Sequence, residues 1–150
     1  MKCFYNNCKL GGNVEKDIAI KYSSKYYHKE CLDKKLNKEK AMQLLKQKGF
    51  VEKSINMALM TFVDKNGVDS EFVYFTVKYV VERKKVLNNP FGISYYLQNF
   101  EIIKAYQKYK TYKLLEENKH KEVKIDEVEI PTFNRKIKPP KYLKILKRGD

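Results

Sequence analysis

Cys3-Phe4-Tyr5-Asn6-Asn7-Cys8 and His28-Lys29-Glu30-Cys31 contain all three cysteines of the chain and one of its two histidines. Written together they read C-x4-C-x19-H-x2-C. Three thiols and an imidazole, in two close pairs parted by a loop, match the donor set of a tetrahedral structural zinc site. Each close pair forms a short chelate, and the loop between them is long enough for a hairpin to bring the halves together. Four protein donors fill a tetrahedron, so Cys3, Cys8, His28 and Cys31 are expected to hold one Zn2+ that braces the fold and carries out no reaction. Three cysteines cannot form a closed set of disulfides, which argues against a secreted disulfide scaffold.

The flanking residues fit such a site. Gly11-Gly12 follows the second cysteine, where a turn tightening around a sulfur needs positive φ. Ile18-Ala19-Ile20-Lys21-Tyr22 is a β-prone run, Ser23-Ser24 a turn, and Lys25-Tyr26-Tyr27 a returning strand that leads into His28. Cys31 is expected on the first turn of a helix, whose positive dipole end favours thiolate. An aromatic hairpin strand ending in H-x2-C resembles the first half of a LIM domain, or more broadly a treble-clef finger, over residues 1–35. C-x4-C replaces the usual C-x2-C of that pattern, so the knuckle must bulge by two residues, and the second LIM zinc module has no counterpart.

A finger of this size buries too little apolar surface to fold unaided, so the metal is expected to supply the missing stability. The chain of 150 residues has room for it beside one helical domain. The reading is therefore α+β, mainly α: a zinc-bound hairpin finger over 1–36, a helical domain over 37–119, and an extended basic tail over 120–150. No run approaches the roughly 20 apolar residues of a membrane span, and the first residues lack the apolar core of a signal peptide. A cytoplasmic location is expected.

Within the helical part, Asn37 is expected to cap a helix with Ala41, Leu44 and Leu45 on its inner face, ended by Gly49. Ile55, Ala58, Leu59, Phe62 and Val63 form the apolar stripe of a second helix over 52–65. Asp69-Ser70 caps a third segment over 71–87; its β-branched content favours strand, but its length without Gly or Pro favours helix, which is the expectation. After Asn88-Asn89-Pro90, helix is expected over 93–118 with an interruption near Asn99. Residues 121–130 alternate charged and apolar side chains, as an edge strand would.

Leu44 to Phe50, Ile55, Leu59, Asp69, Phe72 and Tyr79-Val80 resemble one RecX-type three-helix repeat across residues 44–80, a likeness that implies the RecA recombinase as a partner. The finger, a helical body over 40–112 with Phe91-Gly92-Ile93-Ser94-Tyr95-Tyr96, and a basic tail are together similar to small proteins of phages and mobile elements of Gram-positive bacteria. That likeness implies a setting in host takeover or element maintenance.

Thirty-two Lys and Arg against eighteen Asp and Glu give a net charge of +14, a field that attracts polyanions. Only Arg83, Arg135 and Arg148 are arginines. Lysine excess suits diffuse phosphate attraction better than bidentate base reading. Candidate phosphate contacts are Lys34 and Lys35 beyond the finger, Arg83-Lys84-Lys85, Lys108, and the tail residues Arg135, Lys136, Lys138, Lys141, Lys144, Lys147 and Arg148. Tyr106, Tyr109 and Tyr112 interleave with lysines at helical spacing; they read either as a base-stacking surface or, preferably, as rings packed on the core while lysines snorkel. No glycine loop cradles a phosphate, and His120 stands alone, so no catalytic constellation is expected and no small-molecule substrate. The expected function is non-enzymatic nucleic-acid binding, DNA first, in replication, recombination or transcription. The alternative is a protein-interaction module that inhibits or redirects a host machine such as a recombinase, polymerase, helicase loader or nuclease.

Overall fold

A computed structural model describes residues 1–119 of the protein. It is mainly helical, with one small antiparallel hairpin near the N-terminus. The expected edge strand over 121–130, His120 and the seven candidate phosphate contacts from Arg135 to Arg148 lie outside the described residues.

The hairpin pairs β1 (Ile20–Tyr22) with β2 (Lys25–Tyr27), Tyr22 opposite Lys25, and closes through Ser23-Ser24 as anticipated. Both serines have positive φ, 46° and 64°, which a two-residue turn needs to follow the strand twist. Beside the hairpin the first residues double back: Lys2 bridges Asn13, and the Cys3 N–H donates to Gly12 O over 2.8 Å. Gly11 and Gly12 turn this corner at φ 88° and 73°.

Helix α1 (Lys29–Gln47) starts immediately after His28 and runs unbroken past Asn37. The helix expected to start at Cys31 and the one expected to be capped by Asn37 are thus a single helix, whose cap lies nine residues before Asn37. Nothing between Lys29 and Leu36 breaks a helix, and Asn37 uses its side chain elsewhere, donating from Nδ2 to Ser70 Oγ at 3.0 Å. Cys31 and Leu32, near the start of α1, pack in the finger, whereas Ala41 and Leu45 pack in the body. One rod thus spans both. It ends at Gly49, φ 93°, with Phe50 N–H reaching back to Leu45 O.

Helix α2 (Glu52–Leu59) buries the anticipated stripe and continues as a π-helical turn over Met60–Lys65, where Asn66 N–H donates five residues back to Thr61 O. The wider turn lets three consecutive residues, Phe62, Val63 and Asp64, face inward. Helix α3 (Ser70–Glu82) is capped by Asp69, which accepts the Glu71 N–H at 3.1 Å, and packs Phe72, Val73, Thr76, Val77 and Val80 into the core. Helix wins over strand there because those spacings make one continuous face against α1. The helix stops five residues short of the expected position 87, with Lys84 in the left-handed region at φ 50°. A 3-10 turn (Pro90–Gly92) and α4 (Ile93–Leu97) lead to α5 (Phe100–Asn118), whose cap Asn99 accepts N–H groups from Glu101 and Ile102. Among the described residues, no helix is long and apolar enough to cross a membrane.

Candidate metal centre

The donor atoms of Cys3, Cys8, His28 and Cys31 lie within 4.8 Å of one another, so these four can hold one metal ion. The knuckle delivers Cys3 and Cys8; the end of β2 delivers His28; the first turn of α1 delivers Cys31. His28 Nδ1 is 3.5 Å from the Cys8 sulfur and 3.7 Å from the Cys31 sulfur. Metal–sulfur and metal–nitrogen bonds of about 2.3 and 2.0–2.1 Å at tetrahedral angles give N···S edges of about 3.6 Å, so the spacing is that of ligands around a shared ion.

The imidazole is oriented for that role. His28 Nε2 lies 2.9 Å from Asn13 O, and a carbonyl can only accept, so Nε2 carries the proton and Nδ1 turns its lone pair to the thiols. Burial raises the Cys8 thiol, but the N–H groups of Leu10 and Gly12, with the thiols of Cys31 and Cys3, outweigh it and bring it to about 7. Cys31 moves the other way. Burial, reinforced by Cys8 and Cys3, pushes it up to about 12 when no cation stands beside the sulfurs. Thiolates this close repel one another, and a cation among them would relieve the repulsion.

Two residues of the C-x4-C knuckle reach out of the finger to the helical body. Tyr5 Oη donates to Asp64 Oδ1 at 2.5 Å, and Asn7 Nδ2 to Asp64 Oδ2 at 3.1 Å. Lys38 on α1 closes the set, its ammonium 2.9 Å from Asp64 Oδ2 and 4.6 Å from the Tyr5 ring centroid. Asp64, only 6 % exposed, is thus a buried carboxylate on the π-turn of the body, gripped by side chains that lie between two metal ligands. Burial, followed by the Asp64 contact, drives the Tyr5 phenol far above its ordinary value, so it remains a donor. An Asp directly after a helical apolar stripe gives no such signal; only the departure from C-x2-C hinted that the knuckle reaches outward.

The candidate phosphate contacts are dispersed. Lys34 is half-buried on α1, and Lys35 next to it is engaged by Glu39, whose hydrogen bond raises the lysine's pKa. Arg83, Lys84 and Lys85 are exposed at the end of α3, with the Arg83 guanidinium 4.0 Å above the Tyr79 ring centroid. Lys108 is exposed on α5. Arg135, Lys136, Lys138, Lys141, Lys144, Lys147 and Arg148 lie outside the described residues. Of the interleaved tyrosines, Tyr106 is a core residue, fully buried and donating to Asp69 Oδ2 at 3.0 Å. Tyr109 and Tyr112 are 41 % and 69 % exposed, so the preferred packing role describes Tyr106 fully, Tyr109 in part through its contacts with Phe75 and Tyr106, and not Tyr112. Compared with protein-family models, with curated proteins and with solved structures, the chain matches none of them.

Proposed function

We propose that the protein is a zinc-stabilised, non-enzymatic nucleic-acid-binding protein acting in the cytoplasm, DNA being the first expected ligand. A Cys3His donor set is soft and complete, which favours Zn2+ in a structural site over a metal that binds substrate. One zinc per chain by elemental analysis, lost in Cys8→Ser/His28→Ala, is the expected result; full zinc retained in that variant would overturn the ligand set.

The observation that carries nucleic-acid binding is the charge left over after pairing. Residues 1–119 hold twenty-three Lys and Arg against thirteen Asp and Glu. Lys35, Lys38, Lys46, Lys78, Lys110 and Lys113 pair with carboxylates, whereas Lys34, Arg83, Lys84, Lys85 and Lys108 form no ion pair among the described residues. Unpaired cations retain condensed-counterion exchange with a phosphate backbone as their main favourable interaction. About six phosphate contacts predict an affinity that falls steeply as salt rises from 50 to 200 mM; a flat response would overturn the reading.

The protein-interaction reading retains one supporting observation. Phe4, Leu10 and Ile18 of the finger are 47 %, 49 % and 61 % exposed, an apolar display suited to a protein surface. It requires a partner that survives nuclease treatment of a host lysate and is lost with Leu10→Ser/Ile18→Ser.

A further inference from the structure

Between α3 and α5 the helices part around a groove of about 230 Å³, away from the metal ligands. Its walls are aromatic. Phe75 lies 6.4 Å from Tyr79 and 5.4 Å from Tyr109 between ring centroids, and the guanidinium of Arg83 stacks on Tyr79 at one end. Phe75 also rests on buried Tyr106 at 5.2 Å, so the row is backed by the core and held in place. Phe75 and Tyr79 are half-buried and Tyr109 is more exposed, so the row is reachable from solvent, with one face of Tyr79 already covered by Arg83.

We propose that this groove binds single-stranded nucleic acid, with unstacked bases lying against Phe75, Tyr79 and Tyr109 and phosphates meeting Arg83, Lys84 and Lys85. The inference rests on the nucleic-acid reading above and assigns it a site and a strand class. Ring faces can be used only by a base whose own face is free; in a duplex those faces are stacked on neighbouring base pairs. The Arg83 guanidinium lies 4.0 Å from the Tyr79 ring centroid and forms no ion pair among the described residues, so its N–H groups are available for a phosphate oxygen. Two carboxylates also line the groove, and both are countered. Glu71 is held by Lys110 and Lys113, each at 2.8 Å, and Glu82 faces Lys78 at 3.9 Å. Of the cations lining the groove, Arg83 forms no ion pair among the described residues, and exposed Lys84 and Lys85 follow it directly in the chain.

The test uses the zinc-loaded full chain, a fluorescein-labelled oligo-dT of twenty nucleotides and a mixed-sequence duplex of equal length, followed by anisotropy. The single strand is expected to bind about tenfold or more tightly than the duplex at 50 mM salt. Tyr79→Ala/Tyr109→Ala is expected to lose about tenfold for the single strand with little change for the duplex, and Tyr79→Phe to retain binding. Arg83→Gln should reduce the salt slope by about one phosphate's worth. Unchanged oligo-dT affinity in Tyr79→Ala/Tyr109→Ala, with zinc content and circular dichroism intact, would overturn the groove assignment while nucleic-acid binding stands. Equal loss for both probes would also overturn it, because stacking on those rings cannot serve a duplex. Absence of binding to either probe at 50 mM salt would overturn the underlying reading as well.

Discussion

The finger and the helical body are held together by different physics. The finger's buried cluster is Cys3, Tyr5, Tyr27, Cys31 and Leu32, two of which belong to the candidate metal centre. The body's core joins seventeen buried residues, from Ala41 to Tyr106, across five helices. Apolar burial alone can maintain a core of the second kind, at about 1.5–3 kcal/mol for each large side chain fully removed from water. The first is far smaller, and an ion held by its sulfurs would add what so little apolar burial does not supply. Yet the two regions are not independent, because α1 runs through both and the knuckle grips Asp64 on the body. Metal chemistry at one end is therefore mechanically connected to helix packing at the other.

That contrast is most exposed by removing the metal. A chelator is expected to abolish hydrogen-exchange protection in β1, β2 and the first turn of α1, because a structural zinc contributes about 10 kcal/mol or more of apparent folding free energy. Amides of α3 should remain protected; equal loss in α3 would break the distinction between the regions. The converse variant is Phe72→Ala, which empties a fully buried position of the body and should cost about 3–5 kcal/mol in denaturant unfolding. Zinc content should remain one per chain in that variant.

Asp64→Ala sharpens the link. It leaves the Tyr5 hydroxyl and the Lys38 ammonium without their carboxylate and is expected to destabilise by about 2–3 kcal/mol. The specific signature is faster exchange on both sides of the joint, in the knuckle and in the π-turn; a loss confined to one side would mean the contact does not couple them. The smallest effect is one of pH. Burial would raise the Glu71 carboxyl, but hydrogen bonds and charge from Lys110 and Lys113 outweigh it and hold its pKa below the usual 4.5. A lowered carboxyl pKa stabilises above the ordinary value and loses that stabilisation as pH falls through the lowered one. The body should therefore lose at most about 1 kcal/mol from this group on acidification below pH 4.5, given its solvent screening, and Glu71→Gln should flatten that part of the profile.

Several elements were legible because their causes are local. The stripe from Ile55 to Val63, the Gly49 stop, the Asp69 cap and the Asn99 interruption each follow from periodicity or backbone chemistry within a few residues. The four ligands were legible for a similar reason, since donor type and spacing fix what they can chelate. Asn37 misled because a residue that can cap a helix can equally sit inside one when a tertiary partner, here Ser70, takes its side chain. Asp64 was invisible because its burial depends on a π-turn and on three side chains distant in sequence. The upward shift of Cys31 depends in the same way on burial, and then on sulfurs, that only the closed knuckle brings about.

From residue order alone came the helical class, the caps and stops, the metal donor set and the excess of positive charge, all properties of single residues or of spacings within one element. Folding in three dimensions settled which of those residues are free to act. It paired Lys35 with Glu39, buried Tyr106 while leaving Tyr109 open, and put Arg83 on Tyr79 beside a groove. Such outcomes depend on distances between elements, which pairing, burial and stacking all require and which spacing along the chain does not contain.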